Sequence, residues 1–377
     1  MKEIPFYKPT IDEEELEQIE SVLKLNNKSK VEELEEEIKE FIGASYVVST
    51  NNMTSALHLA LSAMDVKRAD KVIMSVNSFP GLPETVRHFD AEPIFIDTQS
   101  GGVNIDLDKL EDYLENNNSK KLRAMIISFV GGELLDLDRL YQIKQKYDLI
   151  LIEDAANMLG AIYNDKLIGN LEADMSIFSL NPSGGKSSIS NGGFIVTNDE
   201  NLANRAKLLR THAVNSSFDS FGNLDYIYDV VDIGYKYDLS ELEAAFNLAQ
   251  FYKVNTFIER RQEIAELYIK ELQGVDHIVV PQFDENNLYT QFIVKINKNR
   301  DGFARALQQE GISTGLTYIP LHLLSYYKKK YKLKITAFGN ALSSYGQTLS
   351  LPMYPSLSNQ DVIYICDNIK QISKNWV

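Results

Sequence analysis

Short apolar runs alternating with segments of helical period dominate the N-terminal part of the chain. Runs of strand character occupy residues 46–48, 71–75, 93–97, 124–128, 149–152, 175–179 and 193–197, seven in all. Between several of them, as at 108–114 and 138–146, apolar residues recur at helical spacing. Strands alternating with helices predict an α/β fold: a mostly parallel seven-stranded sheet with helices on both faces. Before the first strand, Val31, Leu34, Ile38 and Phe41 mark one side of a helix, and the glutamates between them predict a solvated face. Thr10 and Glu13 have the spacing of a capping box. Residues 4–9 read as an extended arm, because Pro5 and Pro9 discourage helix.

The C-terminal part repeats the alternation on a smaller scale. Helical segments are expected at 200–210, 241–252 and 257–272, with a polar surface loop at 215–229. Residues 288–296 and 311–316 have strand character and enclose a helical segment at 302–309. A tail helix begins near Ser358, with Val362, Ile365 and Ile369 as its packing stripe. The expected organisation is a larger domain at 1–252, with its N-terminal arm, and a smaller α/β domain at 253–377.

Composition narrows the function classes. With 377 residues, 44% hydrophobic and 24% charged, the chain can bury a large core. A net charge of -15 argues against a nucleic-acid partner, which needs a basic surface. The single cysteine, Cys366, rules out an internal disulfide or a cysteine-cluster metal site and fits a reducing compartment. The N-terminus has no apolar signal segment, and no apolar run has membrane length, so a cytoplasmic protein is expected.

Candidate chemistry gathers between residues 149 and 193. The run 149–152 stops at Glu153-Asp154-Ala155-Ala156-Asn157, which sets a carboxylate at the carboxyl end of a strand, where open α/β sheets bind ligands. The run 175–179 leads into a loop of small polar residues containing one lysine, Lys186. Asp154 and Lys186 together suit pyridoxal 5'-phosphate: the carboxylate keeps the pyridine nitrogen protonated, and the amine holds the aldehyde. Upstream, the polar residues 49–55 enter a strong helix former, an arrangement that offers backbone N–H groups to an anion. There Thr54 and Ser55 would add hydroxyls to a phosphate, or would simply cap the helix. His58, inside that helix, reads as a packed residue.

These motifs resemble the DegT/DnrJ/EryC1/StrS sugar aminotransferases, which have the type I aminotransferase fold. The resemblance spans nearly the whole chain. It rests on Asn51-Asn52-Met53-Thr54-Ser55, Ile152-Glu153-Asp154-Ala155-Ala156, Leu159-Gly160-Ala161, the loop from Ser179 to Gly193, Tyr318-Ile319-Pro320-Leu321-His322 and Leu351-Pro352-Met353-Tyr354-Pro355. It implies transfer of an amino group, usually from glutamate, to a keto group of a nucleotide-linked sugar. Lys186 would be the cofactor lysine and proton carrier, and Asp154 the pyridinium partner. Asn157 would bond the phenolic oxygen and Phe79 would stack on the ring. Met53, Thr54 and Ser179 would surround the phosphate, and Tyr318 and His322 would contact substrate. The resemblance also implies a homodimer with shared sites, in which Lys236 of the partner subunit reaches the cofactor phosphate.

Several motifs depart from the family pattern. Met53 stands where the family has a small residue, and Asp238 where it has Arg. The loop before Lys186 is longer than usual, whereas residues 25–30 are shorter and lack a glycine. Pro80, Gly81 and Pro83 predict a loop less helical than the family's. Two alternatives therefore stay beside transamination: a sugar dehydratase of the same family, and a member without catalysis that serves as a binding or regulatory partner.

Overall fold

The computed structural model describes residues 2–24, 28–180, 189–215 and 227–376. Its centre is a seven-stranded sheet formed by β1 (Tyr46–Thr50), β2 (Lys71–Ser75), β3 (Glu92–Ile96), β4 (Leu122–Ser128), β5 (Ile150–Asp154), β6 (Met175–Ser179) and β7 (Gly193–Thr197). Their spatial order is β1-β7-β6-β5-β4-β2-β3. Only β7 runs against its neighbours; the pairs β6/β5, β5/β4, β4/β2 and β2/β3 are parallel. This is the mostly parallel α/β fold expected from the apolar runs.

Because side chains alternate across a strand, consecutive strand residues feed two cores. Val47, Ile127, Leu151, Phe178 and Phe194 join one core with α2 (Lys30–Ile42), α5 (Leu107–Asn117), α6 (Leu137–Tyr147) and α8 (Glu241–Tyr252). Val48, Ile126, Ile152, Ile177 and Ile195 join the other with α3 (Met53–Ala63), α4 (Gly81–His88) and α7 (Glu200–Arg210). The alternation continues to the strand ends. Ser128, Asp154 and Ser179, each two residues beyond a residue of the second core, therefore sit on one face at adjacent carboxyl ends of β4, β5 and β6.

A third core is built around α9 (Val254–Leu272) and a three-stranded antiparallel sheet of β8 (Ile278–Val279), β9 (Phe292–Ile296) and β10 (Thr348–Leu351). It includes α10 (Arg300–Gln309), whose Phe303 and Leu307 are buried. The tail helix α13 (Asn359–Lys374) buries Val362, Ile365 and Ile369, the expected stripe. Two helices, α11 (Ser325–Lys330) and α12 (Gly339–Gln347), bridge back to the large sheet, where Leu321, Tyr327, Phe338 and Ala341 pack on Val76.

Four local expectations are corrected. The first helix, α1 (Glu13–Leu23), is capped by Asp12 with Glu15 in the reciprocal position, two residues later than Thr10 and Glu13. The shift arises because Glu15 is buried against α8 and α9, where it accepts from Gln250 and from Lys253 at 2.7 Å. Glu35 leaves the solvated face of α2: it accepts from the Ser49 amide at 2.8 Å and pairs with Arg210 at 2.6 Å. Residues 311–316 form no strand and make only bridges, Ile312 with Ile4 and Gly315 with Ser350. There Gly311, at φ +78°, lets Lys2 of the arm approach where a Cβ would lie 2.2 Å from its carbonyl oxygen. Finally, residues 81–88 are helical despite the prolines. Pro83 falls in the first turn of α4, whose N–H groups have no partner within the helix.

Candidate active site

The site is built from the carboxyl ends of β4, β5 and β6 and the start of α3. Asp154 ends β5 directly opposite Ser128 of β4. The Ser128 hydroxyl donates to its Oδ2 at 2.6 Å, and the Ala156 N–H approaches Oδ1 at 3.4 Å. Burial pushes the Asp154 carboxyl above its ordinary range, against the opposing effect of those two donors. No described cation pairs with it. A carboxyl held in this state gains most from a cationic ligand, because an opposite charge offsets the desolvation of the carboxylate.

Tyr318 lies next to this group, and burial together with the Asp154 charge pushes its phenol upward. Its backbone is fixed by Asn77, which accepts from the Tyr318 N–H at 3.2 Å and donates to the Thr317 and Val103 carbonyls. The half-exposed Phe79 ring lies 6.0 Å from the Tyr318 ring. A Cβ placed on Gly81 would lie 3.3 Å from Phe79 and 3.5 Å from the Thr54 hydroxyl, so Phe79 and Thr54 flank one small opening.

Asn52 caps α3 through its side chain, which accepts from Ser55 N at 2.8 Å. The Met53 and Thr54 amides remain at the helix start, the polarity an anion prefers. Met53 does not fill this cradle: its side chain packs on the second core. Gly193 makes the geometry possible. It pairs with Thr50 on one side and Ser179 on the other, and a Cβ there would come within 2.6 Å of the Met53 backbone. Gly193→Ala is therefore expected to overpack the start of α3, costing about 1–3 kcal/mol and weakening phosphate binding. Thermal melting together with a cofactor titration checks both effects.

Asn157 and Ser179 line a cleft with Tyr7 and Thr10 of the arm, Ser190, Asn247, Arg261 and Thr290. The Asn157 Oδ1 is buried without a hydrogen-bond partner among the described residues. Lys186 and its loop, residues 181–188, lie outside the described residues, as do residues 25–27.

Two expected site residues, His322 and Lys236, sit apart from the others, and His58 packs as expected. His322 is fully buried, with its ring 5.1 Å from that of Phe338 and neither ring nitrogen partnered among the described residues. Burial lowers its pKa, against a smaller opposing effect of Asp97. Lys236 is exposed and tied to Asp238 at 2.7 Å. Burial raises the Asp238 carboxyl, but Lys236 and the other donors outweigh it and hold it below its ordinary value. His58 packs among Phe89, Tyr235 and Tyr237, and burial followed by the His88 charge lowers its pKa to about 4.

The sheet has the architecture of type I pyridoxal phosphate aminotransferases, with Asp154 and the start of α3 together at its carboxyl edge. The chain belongs to the DegT/DnrJ/EryC1/StrS aminotransferase family, whose model matches residues 9–370. It is 31% identical to the spore coat polysaccharide biosynthesis protein SpsC of Bacillus subtilis, covering 98% of this chain and 97% of that one. It is 29% identical to UDP-4-amino-4,6-dideoxy-N-acetyl-beta-L-altrosamine transaminase of Campylobacter jejuni, again covering 98% and 97%. The PLP form of a putative sugar aminotransferase, Spr1654 of Streptococcus pneumoniae, superposes with a TM-score of 0.89 at 23% identity over the whole of both chains. Pyridoxal 5'-phosphate is the cofactor of this family, and the residues present fit it: a buried carboxyl with no described cation, an Asn157 side chain whose Oδ1 has no described partner, and a helix start beside Ser179. No helix among the described residues is long and apolar enough to cross a membrane.

Proposed function

We propose that this protein transfers an amino group from glutamate to a keto group of a nucleotide-linked sugar. The observation that carries the reading is Asp154, desolvated, oriented by Ser128 and without a described cation. Names among the relatives, a UDP-sugar transaminase and GDP-perosamine synthase, support a nucleotide sugar as acceptor. Pyridoxal phosphate, when bound, supplies an electron-accepting ring that stabilises negative charge at the carbon losing its proton.

The chain's own residues do the rest. Asp154 holds the ring nitrogen protonated, and Asn157 offers its amide to the ring oxygen. Thr54, Ser55, Ser179 and the α3 amides hold the phosphate, and Phe79 covers one ring face. Lys186 would anchor the cofactor aldehyde, and its amine would carry the proton taken from the substrate carbon. Tyr318, fixed by Asn77, lines the acceptor side. The working unit is a homodimer in the cytoplasm, in which Lys236 of the partner subunit completes the phosphate site.

The test is spectroscopic. Purified protein given pyridoxal phosphate should show a visible band that borohydride traps and that Lys186→Ala abolishes. Glutamate should discharge the band, and a nucleotide 4-keto sugar should restore it. A wild-type protein without such a band would overturn the reading.

A further inference from the structure

Two neighbouring arginines on α9 have opposite fates. Arg260 is fully engaged: it pairs with Glu263 at 2.6 Å and donates to the Leu357 carbonyl and the Asn359 side chain. Among the described residues, Arg261 donates through Nε to the Leu288 carbonyl at 3.0 Å. No described carboxylate pairs with its guanidinium, in a chain that carries a net charge of -15. Burial lowers its pKa to about 10, against a smaller opposing effect of Tyr7. The terminal nitrogens of this fork therefore have no described anion to bind.

Arg261 lines the same cleft as Asn157, Ser179 and Thr290. Both the Asn157 Oδ1 and the Thr290 Oγ1 are buried without partners among the described residues. Buried polar groups are ordinarily satisfied, so the Thr290 hydroxyl, beside an Arg261 fork with no described anion, points to a polar ligand. A guanidinium presents parallel N–H donors that match a carboxylate. Resting on the aminotransferase reading, we propose that Arg261 docks a carboxylate of the amino donor, with Thr290 as its hydroxyl neighbour. The donor enters as an amino acid and leaves as the corresponding 2-oxo acid, and both carry that carboxylate. The sugar acceptor reacts without one, so Arg261 serves the donor half of the cycle.

The experiment uses the holoenzyme and measures each half-reaction separately from the visible band. In Arg261→Gln the half-saturating glutamate concentration should rise about 10- to 100-fold, the range for one charge-assisted contact. The acceptor half-reaction, started from the aminated cofactor form, should change less than about threefold. Arg261→Lys keeps the charge without the fork and should fall between; it decides the matter if the Gln variant melts well below wild type. In parallel, succinate binding to the cofactor-free protein is measured by calorimetry, with loss expected in both variants. An unchanged glutamate requirement in a stable, cofactor-loaded variant overturns the assignment. If glutamate fails to discharge the wild-type band, the glutamate reading falls. Succinate binding then decides separately: dependence on Arg261 supports the carboxylate site, and its absence overturns it.

Discussion

Asp154→Asn is expected to abolish most of the activity while leaving the cofactor-free protein as stable as wild type, or more so. Its carboxyl is pushed upward by burial, and its described partners are the Ser128 hydroxyl and the Ala156 N–H. With a folded pKa above the unfolded one, the native state holds the proton more tightly. Stability from this group is then present at low pH and is lost as pH rises from the unfolded value through the folded one. Asparagine keeps the shape and the hydrogen bond from Ser128 but removes the ionisation, so the pH-dependent loss disappears. In the loaded enzyme the sign reverses, because the carboxylate faces a ring cation. Removing one partner of a buried ion pair costs about 3–5 kcal/mol, which corresponds to roughly 10²- to 10⁴-fold in rate. Melting of the cofactor-free variant from about pH 3 to pH 8, a range that spans the ordinary Asp value near 3.9, set beside its turnover, separates the two effects. A cofactor-free variant much less stable than wild type at neutral pH would contradict this account of Asp154.

The sheet was legible because central strands buried on both faces read as unbroken apolar runs. All seven strands lie where those runs are. Asp154, Asn157, Thr54 and Ser179 could be singled out because each follows directly from a strand end or a helix start. Ser128 could not, since its importance comes from pairing with a strand whose relevant residue is 26 positions away. Asn77 likewise acts on Tyr318 across 241 positions. The shifted cap of α1 has the same origin: Gln250 reaches Glu15 across 235 positions, and that contact overrides a local capping pattern. His322 shows a different limit. A motif fixes its position along the chain, but the packing of Phe338 decides which way the ring faces. Nothing in the sequence singles out Arg261 within its helical segment, and only the structure shows that no described carboxylate pairs with it.

Glu153→Ala should be the most destabilising single change near the site, by about 3–5 kcal/mol, the range for leaving buried polar partners unpaired. Glu153 precedes Asp154 on β5, so the alternation of the strand turns it to the opposite face, into the core shared with α6. It is fully buried, and its two oxygens accept from the Tyr141 hydroxyl at 2.7 Å and the Ser176 hydroxyl at 2.6 Å. Truncation strands both hydroxyls beside a cavity. Glu153→Gln retains the volume, and because a hydroxyl can accept as well as donate, both contacts survive. Burial raises the Glu153 carboxyl despite those hydroxyls, so the wild-type protein loses stability from this group as pH rises through its folded pKa. The Gln variant escapes that loss, and its stability relative to wild type should climb from acid to neutral pH. Denaturant melts of the three proteins at several pH values test this. A flat difference between Gln and Glu would mean that Glu153 titrates alike in both states. Because the hydroxyl contacts lie behind the strand that presents Asp154, a cofactor titration of the Gln variant should match wild type. The carboxylate behind the sheet would then hold β5 in place, while the one in front of it performs the chemistry.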